Sequence, residues 1–364
     1  MARETLAREA KRLIDRIAAE PRAAGSQAES RSRAMCARIL ADEGFAVQEE
    51  EFVYSAFPGH WAVPLLGIFF LAWFAYVGSQ VGSHPHGAVA GTLPFLLLLP
   101  ALAYMLARMT PAERLMGRKA TNLVATRGES PAVWLVAHLD TKSQPVPMLG
   151  RIAGIVTVSL AFPVLVLAGL VERGRDWPDL FWFAVTGAGA LGAGAMLLSV
   201  VGDRSRGAID NASGVAAVLL VASRLPREMP AAVLLTSGEE LGLAGAKAWV
   251  RNRSVKPGRA VNFDGLDDVG TLTCMAKRTS RLASRLRSAC EADGARMRFR
   301  RVLPGIMVDA LALGAAGWDA VTVSKGKFST LARIHTARDV PERLAGSGVA
   351  EAVELVTNFI KRET

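Results

Sequence analysis

Cysteine is scarce in this chain: Cys36, Cys274 and Cys290 are the only three in 364 residues. Odd in number and widely spaced, they supply no disulfide framework and no thiolate metal site, as a reducing compartment would suggest. Tyrosine is equally sparse, at Tyr54, Tyr76 and Tyr104. The most informative absence is local. Residues 61 to 81, 87 to 107, 152 to 171 and 180 to 201 contain no Asp, Glu, Lys, Arg or His. Each run has about the 20 residues that a helix rising 1.5 Å per residue needs to cross a hydrocarbon core. Buried helices of a soluble core usually keep polar positions on their outer turns. These runs therefore read as four transmembrane helices in two inserted hairpins, over 58–114 and 149–202. The spans hold no ionisable residue, which argues against a transporter.

The charges around the spans set an orientation. The hairpin tips, GSHPHG (82–87) and VERGRDWPD (171–179), are short, and Trp61, Tyr104, Trp177 and Trp182 lie near span ends, where interfacial aromatics belong. Four crossings return the chain to its starting side. Flanks there carry Arg108, Arg114, Arg118, Lys119, Lys142, Arg151, Arg204 and Arg206, against Arg173 and Arg175 at the tips. The positive-inside bias places the polar bulk in the cytoplasm, as in a multi-pass protein of the bacterial inner membrane. The charged N-terminal stretch ARETLAREAKRLIDRIAAE is no signal peptide. A net charge of +10 fits basic residues facing an anionic leaflet and calls for no nucleic acid.

Residues 1–57, 115–148 and 203–364 remain, enough for one domain. Strand-like runs AVWLVAHLD (132–140), AAVLLTS (231–237), AVNFDG (260–265) and AVTVSKG (320–326) alternate with helical patterns over 214–225, 280–294, 309–317 and 342–362. That alternation predicts an α/β fold, a mostly parallel or mixed sheet with helices on both faces. In such sheets ligands bind beyond the carboxyl ends of the strands. His138 and Asp140 follow the first run, Glu239 and Glu240 the second, Asp264 the third; His335 lies beyond the last, and Asp210 precedes a small-residue turn in GAIDNASG. Imidazole and carboxylate without thiolate suit zinc ahead of manganese or cobalt. Five candidate ligands exceed the three protein groups that one catalytic zinc takes, so two ions are implied, about 3.5–4 Å apart with a shared carboxylate.

The motifs AHLD, GAIDNASGVAAV, TSGEELGLAGA, VNFDG and IHTARD, in that order, closely resemble the M28 family of zinc aminopeptidases. EPRAAGSQAESRSRAMCARILADEGFAV looks like that family's opening helix pair, and RKATNLVATRGESPAVWLVAHLD like its next strands. The resemblance implies that His335 and Glu240 hold one zinc, His138 and Asp264 the other, and that Asp210 bridges them. It implies Asp140 as the hydrogen-bond partner of His138's far nitrogen and Glu239 as general base towards a water between the metals. It also implies a strained Asp210–Asn211 peptide. Two positions depart from the pattern: Ile209 stands where a second polar residue is common, and the late tyrosine that helps stabilise an oxyanion is missing.

Taken singly, Glu239 and Glu240 could open a helix and Asp210 could cap one. His60, His84 and His86 read as interfacial or solvated turn residues. GAGALG (187–192) fits a dinucleotide pattern but lies inside an uncharged run, where its glycines suit helix packing in lipid. The function expected is a membrane-anchored zinc exopeptidase acting on peptides. An amidase or deacylase on the same metals and a non-catalytic membrane scaffold are the alternatives. Nine residues separate Val201 from Asp210 and span at most about 30 Å, so the cleft is expected close to the cytoplasmic membrane face.

Overall fold

The computed structural model describes residues 2–92, 116–171, 177–252, 256–302 and 306–363. The chain divides into two compact units: residues 1–54, 118–143 and 202–364 in one, 55–117 and 144–201 in the other.

The first unit is built on an eight-stranded sheet. Its strands are β1 (Ala46–Ser55), β2 (Gly117–Arg127), β3 (Trp134–His138), β4 (Ala231–Thr236), β5 (Arg259–Leu266), β6 (Thr271–Ala276), β7 (Arg298–Arg300) and β8 (Asp319–Gly326), in the order β1-β2-β4-β3-β5-β8-β6-β7. The centre is parallel, β4 with β3, β3 with β5 and β5 with β8, while β2 and β6 run antiparallel to β4 and β8. The sheet is thus mixed. The four strand-like runs of the sequence are its four central strands. The short outer strand β7 reads RFR, with no apolar alternation to announce it.

Residue alternation explains why both faces are covered. All five residues of β3 are buried, with Leu135 and Ala137 in one apolar cluster and Trp134 and Val136 in another. The first cluster takes in helices Ala2–Ile17, Gly214–Arg224, Arg281–Ala292 and Ser347–Glu363. The second takes in helices Ala244–Asn252 and Asp309–Ala315, around a core of Trp134, Trp249 and Trp318 with ring centroids 4.8–5.9 Å apart. The C-terminal helix begins at Ser347 rather than near residue 342, because 341–343 form a separate 3₁₀ turn.

Among the described residues of the second unit, three helices are long and apolar enough to cross a membrane: Phe57–Ser79, Met148–Val171 and Asp179–Leu197. Large apolar side chains on them stay exposed, Leu191 at 80 %, Leu180 at 77 % and Leu160 at 63 %. Glycines set their close approach: a Cβ on Gly67 would lie 2.3 Å from the Leu197 nitrogen, and one on Gly189 would lie 2.4 Å from the Phe74 ring. Gly192 meets Gly154 in the same way, whereas Gly187 and Gly194 face open space, so only half of the GAGALG region's glycines serve packing. The motif lies wholly within a helix. Of the run 87–107 only the first residues are described, helical over 85–92; the rest, with Tyr104, Arg108, Arg114, Arg173 and Arg175, lies outside the described residues.

Arg22 ties distant segments of the first unit together. Its guanidinium is fully buried and donates to the carbonyls of Ile17 (2.9 Å), Leu139 (2.9 Å), Arg206 (2.8 Å) and Gly207 (3.1 Å). Burial lowers its pKa to about 10, which still leaves it charged. Arg22→Met would strand these carbonyls at a cost of about 3 kcal/mol. Thermal unfolding of the full chain in detergent should show a clear drop in midpoint; a midpoint equal to wild type would refute this bracing role.

Candidate metal centre

The candidate residues stand at the end of one strand, at an irregularity of another, and in turns. His138 is the last residue of β3. Glu239 and Glu240 occupy a 3₁₀ turn just after β4, bounded by Gly238 (φ 69°) and Gly242 (φ 102°), both in the left-handed region that favours glycine. Asp210 lies in the kinked turn Ala208–Ser213 that leads into helix Gly214–Arg224, and its peptide bond to Asn211 is cis. Asp264 lies within β5, where the pairing with β8 shifts register between Phe263 and Leu266, and not after the strand as its sequence suggests. His335 takes a left-handed φ of 59° in an irregular turn.

These five side chains converge. His138 Nε2 is 3.1 Å from Asp210 Oδ1 and 3.8 Å from Asp264 Oδ1. His335 Nε2 is 3.0 Å from Asp210 Oδ2 and 2.9 Å from Glu240 Oε1. Two donor groups result, His138–Asp210–Asp264 and Asp210–Glu240–His335, each with ligand atoms within 4.8 Å of one another. Asp210 belongs to both and gives one oxygen to each side. Among the described residues these are the groups able to hold a metal. His60 instead has Nδ1 at 3.0 Å from the Ala56 carbonyl, and His86 packs edge-on to Trp182 with centroids 4.8 Å apart.

Asp140 departs from its expected contact. The nitrogen of His138 that faces it lies 3.0 Å from the Asp140 backbone carbonyl and 3.7 Å from its carboxylate. The carboxylate turns away because it accepts two backbone bonds, from the N–H groups of Glu239 (3.1 Å) and Glu240 (3.2 Å). It therefore holds the two-glutamate turn. Lys142, counted from sequence among membrane-flanking cations, lies 2.7 Å from Glu240 Oε2 with its side chain only 17 % exposed.

Four further supports were given no such role from the sequence, although Asn211 and Asp339 lie in the motifs GAIDNASG and IHTARD. Asp339, the last residue of IHTARD, is buried and accepts from the N–H groups of Ile209 (2.8 Å) and Asp210 (3.1 Å). Ile209 thus contributes through its backbone, and its apolar side chain joins the core. Asn122 accepts from Ser237 N–H (3.1 Å) and donates to the Gly245 carbonyl (3.0 Å), flanking the glutamate turn. Asn211 donates to the Phe263 carbonyl and accepts from Gly214 and Gly265, joining the Asp210 turn to the Asp264 bulge. Asp309, at the start of a helix, accepts from the Thr236 hydroxyl, and burial pushes its carboxyl up to about 7. Tyr54 packs beside the glutamate turn: a Cβ on Gly238 would lie 3.8 Å from its ring.

The electrostatics divide the acids. Burial opposes the charge on Asp210, but hydrogen bonds to His138 and His335 outweigh it and hold the carboxylate well below its usual range. Glu240 is likewise opposed by burial, then drawn down to about 2 by His335 and Lys142. Glu239 goes the other way. Burial, reinforced by Glu240, Asp264 and Asp309 against the pull of His138, raises its carboxyl well above the ordinary value. Its Oε1 is buried and has no hydrogen-bond partner among the described residues.

Two expectations follow for the supports. Asp339→Asn turns an acceptor oxygen into a donor facing a backbone N–H; it should cost about 1–3 kcal/mol and weaken metal binding roughly 10–100-fold. Chelator competition on the purified chain measures the second effect, and unchanged affinity would disprove it. Glu29, fully buried, has its carboxyl pushed up to about 8 by burial first and Asp140 second. Below its ordinary 4.5 it is protonated folded or unfolded; between 4.5 and about 8 the unfolded chain binds fewer protons, so stability falls as pH rises. Glu29→Gln should therefore gain on wild type in melting temperature from pH 5 to pH 8. A constant difference would contradict it.

The comparisons agree on the fold. A zinc aminopeptidase from Bacillus subtilis superposes with a TM-score of 0.59 at 14 % identity, covering 98 % of this chain and 95 % of its own. A glutaminyl cyclase from Porphyromonas gingivalis gives a TM-score of 0.58 at 14 % identity, with 98 % of each chain covered. An aminopeptidase from Aneurinibacillus sp. strain AM-1 gives 0.57 at 12 %, with 98 % and 93 % covered. At such identities the likeness is one of fold. No curated protein is a detectable sequence relative. The model of peptidase family M28 matches residues 122–360, well over half the chain and including all five converging side chains, so the chain belongs to peptidase family M28.

Proposed function

We propose that this chain is a membrane-anchored, zinc-dependent aminopeptidase whose centre holds two ions. The observation that carries the reading is the pair of three-residue donor groups sharing Asp210, with the buried, unpaired Glu239 oxygen beside them. The donor set is imidazole and carboxylate only, which suits zinc, with manganese or cobalt as substitutes. His138, Asp210 and Asp264 would hold one ion; Asp210, Glu240 and His335 the other. When bound, such ions polarise a scissile carbonyl and acidify a water.

The chain's own residues do the rest. Glu239, with its raised proton affinity, is suited to take a proton from the attacking water and return it to the leaving amine. Asp140 keeps that carboxyl in place by holding the backbone of its turn. The substrate in this reading is a peptide with a free amino end. The anchor consists of the three apolar helices together with the run 87–107 as a fourth crossing, in a bacterial inner membrane with the peptidase unit in the cytoplasm. A second reading, metal-dependent chemistry on another amide, draws on the equal fold likeness to glutaminyl cyclases.

Metal analysis of the purified chain and a substrate panel test the proposal. Free aminoacyl substrates should turn over, N-blocked ones should not, and Glu239→Gln should lower turnover by roughly 10²–10⁴-fold. Turnover of blocked substrates only, or cyclisation of N-terminal glutamine only, would shift the assignment to the second reading. Full activity in Glu239→Gln, or a chain that takes up no metal, would sink both.

A further inference from the structure

Lys142 is placed oddly for a surface cation. Its Nζ lies 2.7 Å from Glu240 Oε2 and 3.2 Å from the Glu240 carbonyl oxygen, so one ammonium grips both the side chain and the backbone of the same residue. The Glu240 N–H is held in turn by Asp140 at 3.2 Å. Glu240 therefore cannot easily rotate. Its two oxygens have separate employments, Oε1 towards His335 at 2.9 Å and Oε2 towards Lys142.

We propose that Lys142 is a positioning residue that sets metal preference, by keeping one Glu240 oxygen out of reach of an ion in the Asp210–Glu240–His335 group. The inference rests on the metal reading above and goes beyond it. With Oε2 engaged, that group offers three donor atoms: one oxygen from Asp210, one from Glu240 and one nitrogen from His335. Three protein donors and one open position are what a tetrahedral catalytic zinc takes. Manganese and other hard ions favour six or more oxygen donors, and a carboxylate free to give both oxygens would serve them better. Releasing Oε2 should therefore favour the larger coordination number. A purely structural ion pair would affect stability and leave this preference alone.

The full chain, purified in detergent, stripped of metal and reloaded, provides the test. Zinc and manganese affinities are measured by chelator competition, and the visible absorption of the cobalt-loaded chain reports coordination number. In Lys142→Met the manganese affinity should rise relative to zinc by about tenfold or more, and the cobalt bands should weaken as coordination rises above four. Lys142→Arg, which keeps a cation on Oε2, should behave as wild type and serves as the second variant if the Met chain fails to fold. There, a manganese preference despite the retained cation would overturn the proposal. Wild-type selectivity and an unchanged cobalt spectrum in Lys142→Met, in a chain whose wild type binds metal, would overturn this inference alone. A wild type that binds none of the three ions would overturn it together with the metal centre.

Discussion

Asp210 sits between two imidazoles, one on each carboxylate oxygen, and most of the surrounding structure answers to that contact. Asp264 and Glu240 crowd the same rim, with Glu239, Asp140 and Asp309 close behind. Like charges at such spacing repel unless cations lie among them. His138, His335 and Lys142 supply part of that compensation. A divalent ion would supply more, and this is the physical reason the arrangement reads as a metal centre.

The backbone is held as firmly as the side chains. Asp339 takes the two N–H groups at Ile209 and Asp210, and Asp140 takes the two at Glu239 and Glu240. Each carboxylate fixes one turn that carries a candidate ligand. Arg22 does the reverse, giving its N–H groups to carbonyls at the end of β3 and in the approach to Asp210. Burial lowers the pKa of Arg22 only to about 10, so it stays charged and adds a cation near Asp140 and Asp339.

The apolar insertions leave this unit at turns, where a sheet tolerates added length. One interrupts the chain between β1 and β2; the other follows β3. Ser143 and Gly202 exchange two backbone hydrogen bonds of 2.8 Å and so close the polar unit where the second insertion begins and ends. Tyr54, beside Gly238, and Lys142, on Glu240, stand within a few residues of the helices Phe57–Ser79 and Met148–Val171. The glutamate turn thus touches two residues of its own unit, Tyr54 and Lys142, that lie close in sequence to where the chain leaves for the apolar helices.

Much of this could be read from residues. Uncharged runs about 20 residues long state their own need for an apolar environment, and alternation of strand and helix identifies the central strands. His138, Asp210, Glu240, Asp264 and His335 could be picked out only together, because their motifs follow one another in the order that resembles family M28, whereas each acid taken singly could cap a helix. What sequence could not settle were contacts that depend on which atom of a residue faces which neighbour. The Asp140 carboxylate serves a turn a hundred residues away while its carbonyl faces His138, Lys142 looks like a membrane-flanking charge until Glu240 is folded against it, and Asp339, though it closes the IHTARD motif, does not disclose there that it holds the backbone at Asp210. Composition and periodicity decide which residues must be inside and on which element, since burial is a property of residue type. Hydrogen-bond partnership at a rim depends on distances between distant segments, and only the closed fold sets those.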